Sequence, residues 1–311
     1  MSGKTFLNRL ILLLAVLLAG TLAAWGLLMI ILLIQASFDI HLVAQLSAKL
    51  IEDTGMLRIT QLIQSLCLFV LPPFVLTHLY KERPDTFLRF RTPDARYVLM
   101  AIFSLLVAMP FINLLVTWNE GLRLPDCLNH VEQWMRTSES AATDVTNKML
   151  SGSSWTDLMV NLFIVAMVAG FGEELFFRGL VQRLLSDALS NRLDSGNYPK
   201  WVMHTSIWVT AFIFSAIHLQ FFGFFPRLLL GAWFGYLLWW TGSIWVPIAA
   251  HFTNNALSTF FTFGQNNGWF TSSPDQFGVD DTLWATLVSL LLLGCCVFYF
   301  IKGPSEKLNK N

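Results

Sequence analysis

Long apolar runs separated by short polar connections set the pattern of this chain from its first residues. The first run spans roughly Leu10 to Ile34 behind Lys4 and Arg9. A signal peptide has an apolar region of about 7 to 15 residues, so this longer run is expected to be a retained membrane helix. Asp39 to Arg58 mixes apolar residues with Lys49, Glu52 and Asp53 at helical spacing, as in a helix lying at the interface. Further spans are expected at about Leu57–Tyr80, with Pro72 and Pro73 inside, Tyr97–Trp118, Leu158 to about Gln182, Trp201–Gln220, Arg227–Trp240, Ile244–Phe263 and Leu283–Ile301. The longest polar connection, Asn119 to Asp157, contains Leu128, Val131 and Met135, spaced to line one face of an ordinary short loop helix. Ser154 to Asp157 fits a capping box at the entry to the fourth span. Ser186–Lys200 reads as a polar linker and Gly264–Asp281 as a polar loop.

Composition agrees with the pattern. The chain has 311 residues, 55% hydrophobic and 13% charged, with zero net charge and a mean hydropathy of +0.57, well away from the roughly 25% charged residues of soluble domains. The expected fold class is all-α, a polytopic membrane protein of about eight transmembrane helices around an intramembrane polar cavity. No internal repeat and no second domain is visible. A single integral unit divides into motif-free N-terminal helices with the long polar loop (1–155), a core (156–265), and a last loop, helix and tail (266–311). There is no basic block or Gly-rich phosphate loop, which excludes nucleic acid and nucleotide as evident partners. Cys67, Cys295 and Cys296 lie in apolar runs and Cys127 stands alone in a loop, so neither a disulfide framework nor a CxxC metal knuckle is present.

Eight crossings with both termini inside place Lys4, Arg9, Lys81, Arg83, Arg89, Arg91, Arg96, Arg183, Arg192, Lys200, Lys302, Lys307 and Lys310 on one side, which is 13. Lys49, Arg58, Arg123, Arg136, Lys148 and Arg227, which is six, fall on the other. The bias predicts cytoplasmic termini in a plasma (inner) membrane, with the cavity opening to the cytoplasmic side.

Six ionisable or amide side chains stand out within the apolar runs. In FGEELFFRG, Glu173 and Glu174 adjoin inside the fourth span, and Arg178 follows. Charges at such depth are costly and mark candidate functional sites. Glu174 and Arg178 share a helical face and can pair, whereas Glu173 points about 100° away. A structural charge cluster pinning two helices reads equally well from this pair alone. A carboxylate without a local partner is a candidate general base or acid. His218 follows Phe214 by four residues in FSAIH, and His251 precedes Asn255 by four in HFTNN. A lone membrane histidine is more often a hydrogen-bond partner between helices. Glu173, His218, His251 and Asn255 from three spans together supply a base, a second acid or base, and donors for an oxyanion, which is what amide hydrolysis needs.

EELFFR, FSAIH and HFTNN resemble, in order and spacing, the motifs EExxxR, FxxxH and HxxxN of the CPBP family. That family comprises intramembrane proteases related to type II CAAX prenyl endopeptidases and to bacterial ABI bacteriocin-immunity proteins. The resemblance covers about Leu158 to Phe263. It implies an endopeptidase in which Glu173 is the base on a water held with His218, His251 and Asn255 stabilise the oxyanion, and Glu174 and Arg178, with Phe214, support the site. The expected partners are a membrane-associated protein or peptide substrate and the lipid bilayer. Two other readings stay open: a catalytically silent binding or immunity scaffold, and a proton-coupled transporter. No metal is expected, although Glu173, His218 and His251 form a possible zinc set with one open position. HExxH is absent, and zinc would consume Glu173 and leave only the paired Glu174 as base. One mismatch accompanies these boundaries. At about 1.5 Å per residue, Glu173 lies roughly 14 Å above Gln182 and His251 roughly 12 Å above Ser243, but His218 lies roughly 25 Å above Trp201.

Overall fold

The computed structural model describes residues 3–190, 198–270 and 276–303, and they are helical with no strand among them. The longer helices are α1 (Gly3–Gln35), α2 (Ile40–Ala48), α3 (Thr54–Leu79), α4 (Ala95–Glu120), α5 (Asn129–Leu150), α6 (Trp155–Ser190), α7 (Lys200–Ala216), α8 (Phe224–Thr241), α9 (Trp245–Asn266) and α10 (Leu283–Lys302). The chain is an all-α polytopic membrane protein. Five of these helices are long and apolar enough to cross a membrane: α1, α3, α4, α6 and α10. The other three expected spans exist as α7, α8 and α9, but they do not meet that test, so the count of eight is not carried by the structure.

Helix α6 is the axis of the bundle. More than half of its apolar window is buried within the protein, 56% against 28% or less for the other four, and the exposed apolar residues of its first half fall on one stripe, Trp155, Met159, Phe163 and Met167. Two stretches of it, Leu162–Ala169 and Leu175–Val181, open into wide π-helical turns on either side of the two glutamates, a local irregularity that concentrates at functional sites. Its start carries the expected capping box, Ser154 with Asp157, and Asp157 is also paired with Arg58 of α3 at 2.8 Å.

The fourth span runs to Ser190, two turns beyond the expected end, and this resolves the depth mismatch. Glu173 then lies roughly 25 Å from the helix end, level with His218. The α8–α9 turn does not sit at the bundle end either. Ser243 donates its hydroxyl to the Arg91 carbonyl at 2.5 Å and the Ile244 N–H bonds the Arg89 carbonyl. Arg183 of α6 bonds the neighbouring Phe87 carbonyl at 2.9 Å, so the turn is hung from α6 well above Ser190.

At this basic end the bundle is filled. Phe87, Leu88, Leu175, Phe177, Leu180 and Ile244 are all at most 1% exposed and form one apolar cluster. Helices α7 and α8 lie against each other through Gly231 and Gly235, four residues apart on α8. A Cβ on Gly235 would stand 2.9 Å from both Ile207 Cγ2 and Gln182 Oε1, inside van der Waals contact. Backbone approach of this kind is how small residues tighten membrane helix pairs.

Helix α5 departs from expectation. It is 22 residues long, and Leu128 and Val131 of the expected apolar face are exposed. Its inward face is polar. Glu132 accepts from Arg123, Arg136 and the Leu124 N–H at 2.8 to 3.0 Å, and the Leu124 amide, with the two arginines, holds its carboxyl down at about 2. This clamp stabilises the fold above the ordinary carboxylate range and is lost only as pH falls toward 2.

The α7–α8 contact yields the first prediction. Gly235→Val forces Ile207 and Gln182 aside and should cost about 1–3 kcal/mol as overpacking. Thermal unfolding of the purified protein in detergent reads it, and an unchanged midpoint would contradict this account of the interface.

Candidate active site

The site begins with a cation that never reaches water. Arg178 is 1% exposed. Its Nη1 donates to Glu174 Oε1 at 2.8 Å and its Nη2 to the Gly231 carbonyl at 2.9 Å. The rings of Phe214, Phe234 and Phe177 stand 4.6, 5.3 and 5.9 Å from its Cζ, within cation–π range. Gly231 was not among the residues singled out from sequence. Its GxxxG spacing with Gly235 is the signal that points to it.

Glu174 Oε1 has a second partner, His251 Nδ1 at 2.7 Å. A carboxylate only accepts, so His251 carries its proton on Nδ1 and turns Nε2 the other way. That nitrogen lies 3.7 Å from Glu173 Oε2. One imidazole thus bridges two adjacent glutamates, donating to the buried one and facing the other. Phe234 stacks on the ring at 4.9 Å and 18°, which fixes its plane. The two carboxylates differ accordingly: Glu174 is fully buried, while the Glu173 side chain is 15% exposed.

His218 lies past the end of the helix that carries Phe214. Helix α7 ends at Ala216, and His218 donates Nδ1–H to the Phe214 carbonyl at 2.7 Å. The four-residue spacing reflects a side chain that caps its own helix, since the last carbonyls of a helix lack backbone partners. Its Nε2 is left free to accept. The non-helical break that follows is tied down from outside. Asn119 of α4 donates to the Phe221 carbonyl at 3.2 Å and accepts from the Phe225 N–H at 2.9 Å. Glu139 of α5 accepts from the Phe222 N–H at 3.0 Å, and the Arg136 guanidinium lies 4.1 Å over the Phe222 ring. Asn119, Arg136 and Glu139 therefore hold the His218 segment. Nothing in their local spacing announces it, because each acts on a segment more than eighty residues away.

Asn255 donates Nδ2–H to the Val165 carbonyl at 3.0 Å and accepts from Asn254 Nδ2 at 3.1 Å. Its amide keeps one N–H uncommitted.

Glu173, His218, His251 and Asn255 all line one cavity of about 580 Å³, with Phe214 and Asn254. Its upper wall is the second half of α4 (Met109, Asn113, Val116) and of α9 (Ser258, Thr262, Gln265), and it reaches the exposed Asn147 of α5 and Gln265. These lie at the end of the bundle opposite the basic segment 81–96. The expected opening on the cytoplasmic side, assigned to that segment, is corrected on this point. In the half of the bundle nearer the arginines the Phe177–Leu180–Ile244 cluster packs below the site, and this cavity extends toward α5.

Zinc would be held by Glu173, His218 and His251. No group of three or more His, Cys, Asp or Glu side chains is drawn together as a metal set among the described residues.

The buried pair gives the second prediction. Arg178→Leu strands the Glu174 charge in the interior and should cost about 3–5 kcal/mol, whereas Glu173→Gln, at the cavity wall, should leave unfolding nearly unchanged. Equal effects of the two substitutions on the unfolding midpoint would contradict the division between a structural and a cavity glutamate.

Comparison with known proteins bears on the same stretch. Searches of curated proteins and of solved structures found no significant match. A protein-family model does match: residues 155–257, about a third of the chain and the part that carries all three motifs, are similar to the Type II CAAX prenyl endopeptidase Rce1-like family.

Proposed function

We propose that the cavity hydrolyses a peptide bond of a membrane-associated protein or peptide, using a water that Glu173 activates. The observation that carries this reading is the unequal engagement of the two glutamates. Glu174 is fully buried, its Oε1 taken by Arg178 and His251, and Glu173 is the carboxylate on the cavity wall, facing His251 Nε2.

In this reading the water lies between Glu173 and the free Nε2 of His218. Its oxygen attacks the carbonyl carbon, and the proton passes to Glu173. The oxyanion takes a hydrogen bond from the uncommitted N–H of Asn255, beside the His251 ring that Glu174 holds in place. Such a preoriented donor is worth about 10²–10³ in rate. The C–N bond then breaks, and Glu173 returns its proton to the leaving amine. A carboxylic acid and an amine result, with Glu173 regenerated.

A metal-free route is part of the proposal, because zinc bound by Glu173 would leave no carboxylate on the cavity wall to serve as base. A proton-coupled transporter is disfavoured on different grounds: it needs polar groups leading away from the site on both sides, and the basic side is packed with phenylalanine and leucine. Substrate would enter from the α5 end.

Two experiments test the reading. Full-length Glu173→Gln protein, used as a trap and analysed by mass spectrometry, should retain a bound polypeptide. Wild-type protein in proteoliposomes should cleave that polypeptide, with turnover falling below detection in Glu173→Gln. Cleavage at the wild-type rate by the variant refutes Glu173 as base. Separately, elemental analysis should find well under one zinc per chain, and excess chelator should leave cleavage intact. Stoichiometric zinc whose removal abolishes activity, and whose return restores it, would replace the glutamate-only route by a metalloprotease.

A further inference from the structure

Arg227 stands in the same cavity wall and has no part in the chemistry described so far. Among the residues that line the cavity, Glu173 and Arg227 are the two from the set Asp, Glu, Lys and Arg. The site's other cation, Arg178, is sealed behind its aromatic rings and does not reach the cavity. Arg227 lies in the first turn of α8, immediately after the break that carries His218.

Its guanidinium is held in place without being neutralised. Nη2 donates to Gln220 Oε1 at 2.6 Å, and Nη1 approaches the Gln220 carbonyl at 3.5 Å. The guanidinium lies across Gly223, where even a Cβ would come within 3.3 Å of Nη2. Both devices are neutral, so they fix position and leave the charge. Glu139 and Glu173 are near enough to act on it through space, yet neither makes an ion pair with it, and Glu139 is engaged with the Phe222 amide. A cation partly withdrawn from water beside apolar walls is costly unless paired. A fixed guanidinium with unused N–H groups is shaped for bidentate binding of a carboxylate.

We propose that Arg227 is a specificity-determining residue that binds a carboxylate of the substrate close to the scissile bond. The inference rests on the cavity being the substrate site proposed above. The group has two possible sources, an acidic side chain or a free C-terminus, with the same chemistry toward arginine. Arg227 also supplies the counter-charge that lets an anionic segment approach Glu173, which would otherwise repel it.

The test reads binding, so that it stands apart from hydrolysis. Full-length Glu173→Gln protein in nanodiscs is titrated with three fluorescent eight-residue apolar peptides, followed by anisotropy. One carries a central glutamate and an amidated end, one a free C-terminal carboxylate and no acidic side chain, and one neither. At least one carboxylate peptide should bind ten times or more tighter than the neutral one, and which of them does so names the source. Arg227→Gln should bring that peptide to within about twofold of the neutral one, while Arg227→Lys, which keeps the charge, should retain part of the preference. The comparison between peptides with Arg227 intact holds even if the glutamine variant folds poorly. Equal binding of all three peptides, no binding of either carboxylate peptide, or a preference that survives Arg227→Gln overturns the proposal. A protein that binds as expected but never cleaves with Glu173 restored would instead count against the protease reading and leave Arg227 as an anion anchor.

Discussion

The arrangement depends on one buried chain of charge, Arg178 to Glu174 to His251. Taking an arginine out of water costs several kcal/mol unless its donors are satisfied and its charge is balanced. Here Glu174, the Gly231 carbonyl and three aromatic faces engage the two Nη groups and the charge, while Nε makes no hydrogen bond. The bond carries information as well as stability. By occupying Glu174 it orients His251, and by orienting His251 it leaves Nε2 facing the second glutamate. Two chemically identical neighbours in the sequence thereby acquire different work.

The rest of the site is assembled from irregularities rather than from helix interiors. Two π-helical stretches flank the glutamates, His218 lies past the end of α7, and Arg227 opens α8. At such places backbone groups are unpaired and side chains can be aimed into a cavity instead of along a helix surface. The cost is that these segments need support. Asn119 brackets the break between α7 and α8, and Glu139 and Arg136 hold it from α5. The amphipathic helix outside the expected spans is part of the machinery through its polar face.

The bundle is also asymmetric along its length. Toward the basic segment it is packed with phenylalanine and leucine, and toward α5 it holds the cavity.

The amino-acid sequence by itself determined the all-helical membrane class and the capping box at Ser154. It also picked out Glu173, Glu174, Arg178, His218, His251 and Asn255 as the unusual residues. Apolar run length, caps and buried charge are local properties, and local properties survive in a string of letters. The tertiary structure alone decided that α6 extends to Ser190, which brings Glu173 level with His218. It also decided that Glu132, Arg136 and Glu139, not Leu128 and Val131, face inward on α5, and that the cavity opens away from the arginines. Each of these turns on a partner distant in the chain: the Arg89–Arg91 carbonyls for the α8–α9 turn, the Phe222 amide for Glu139, the Phe177 cluster for the packed end. Spacing along a helix fixes which side chains share a face, but which of those faces meets another element is settled only by packing.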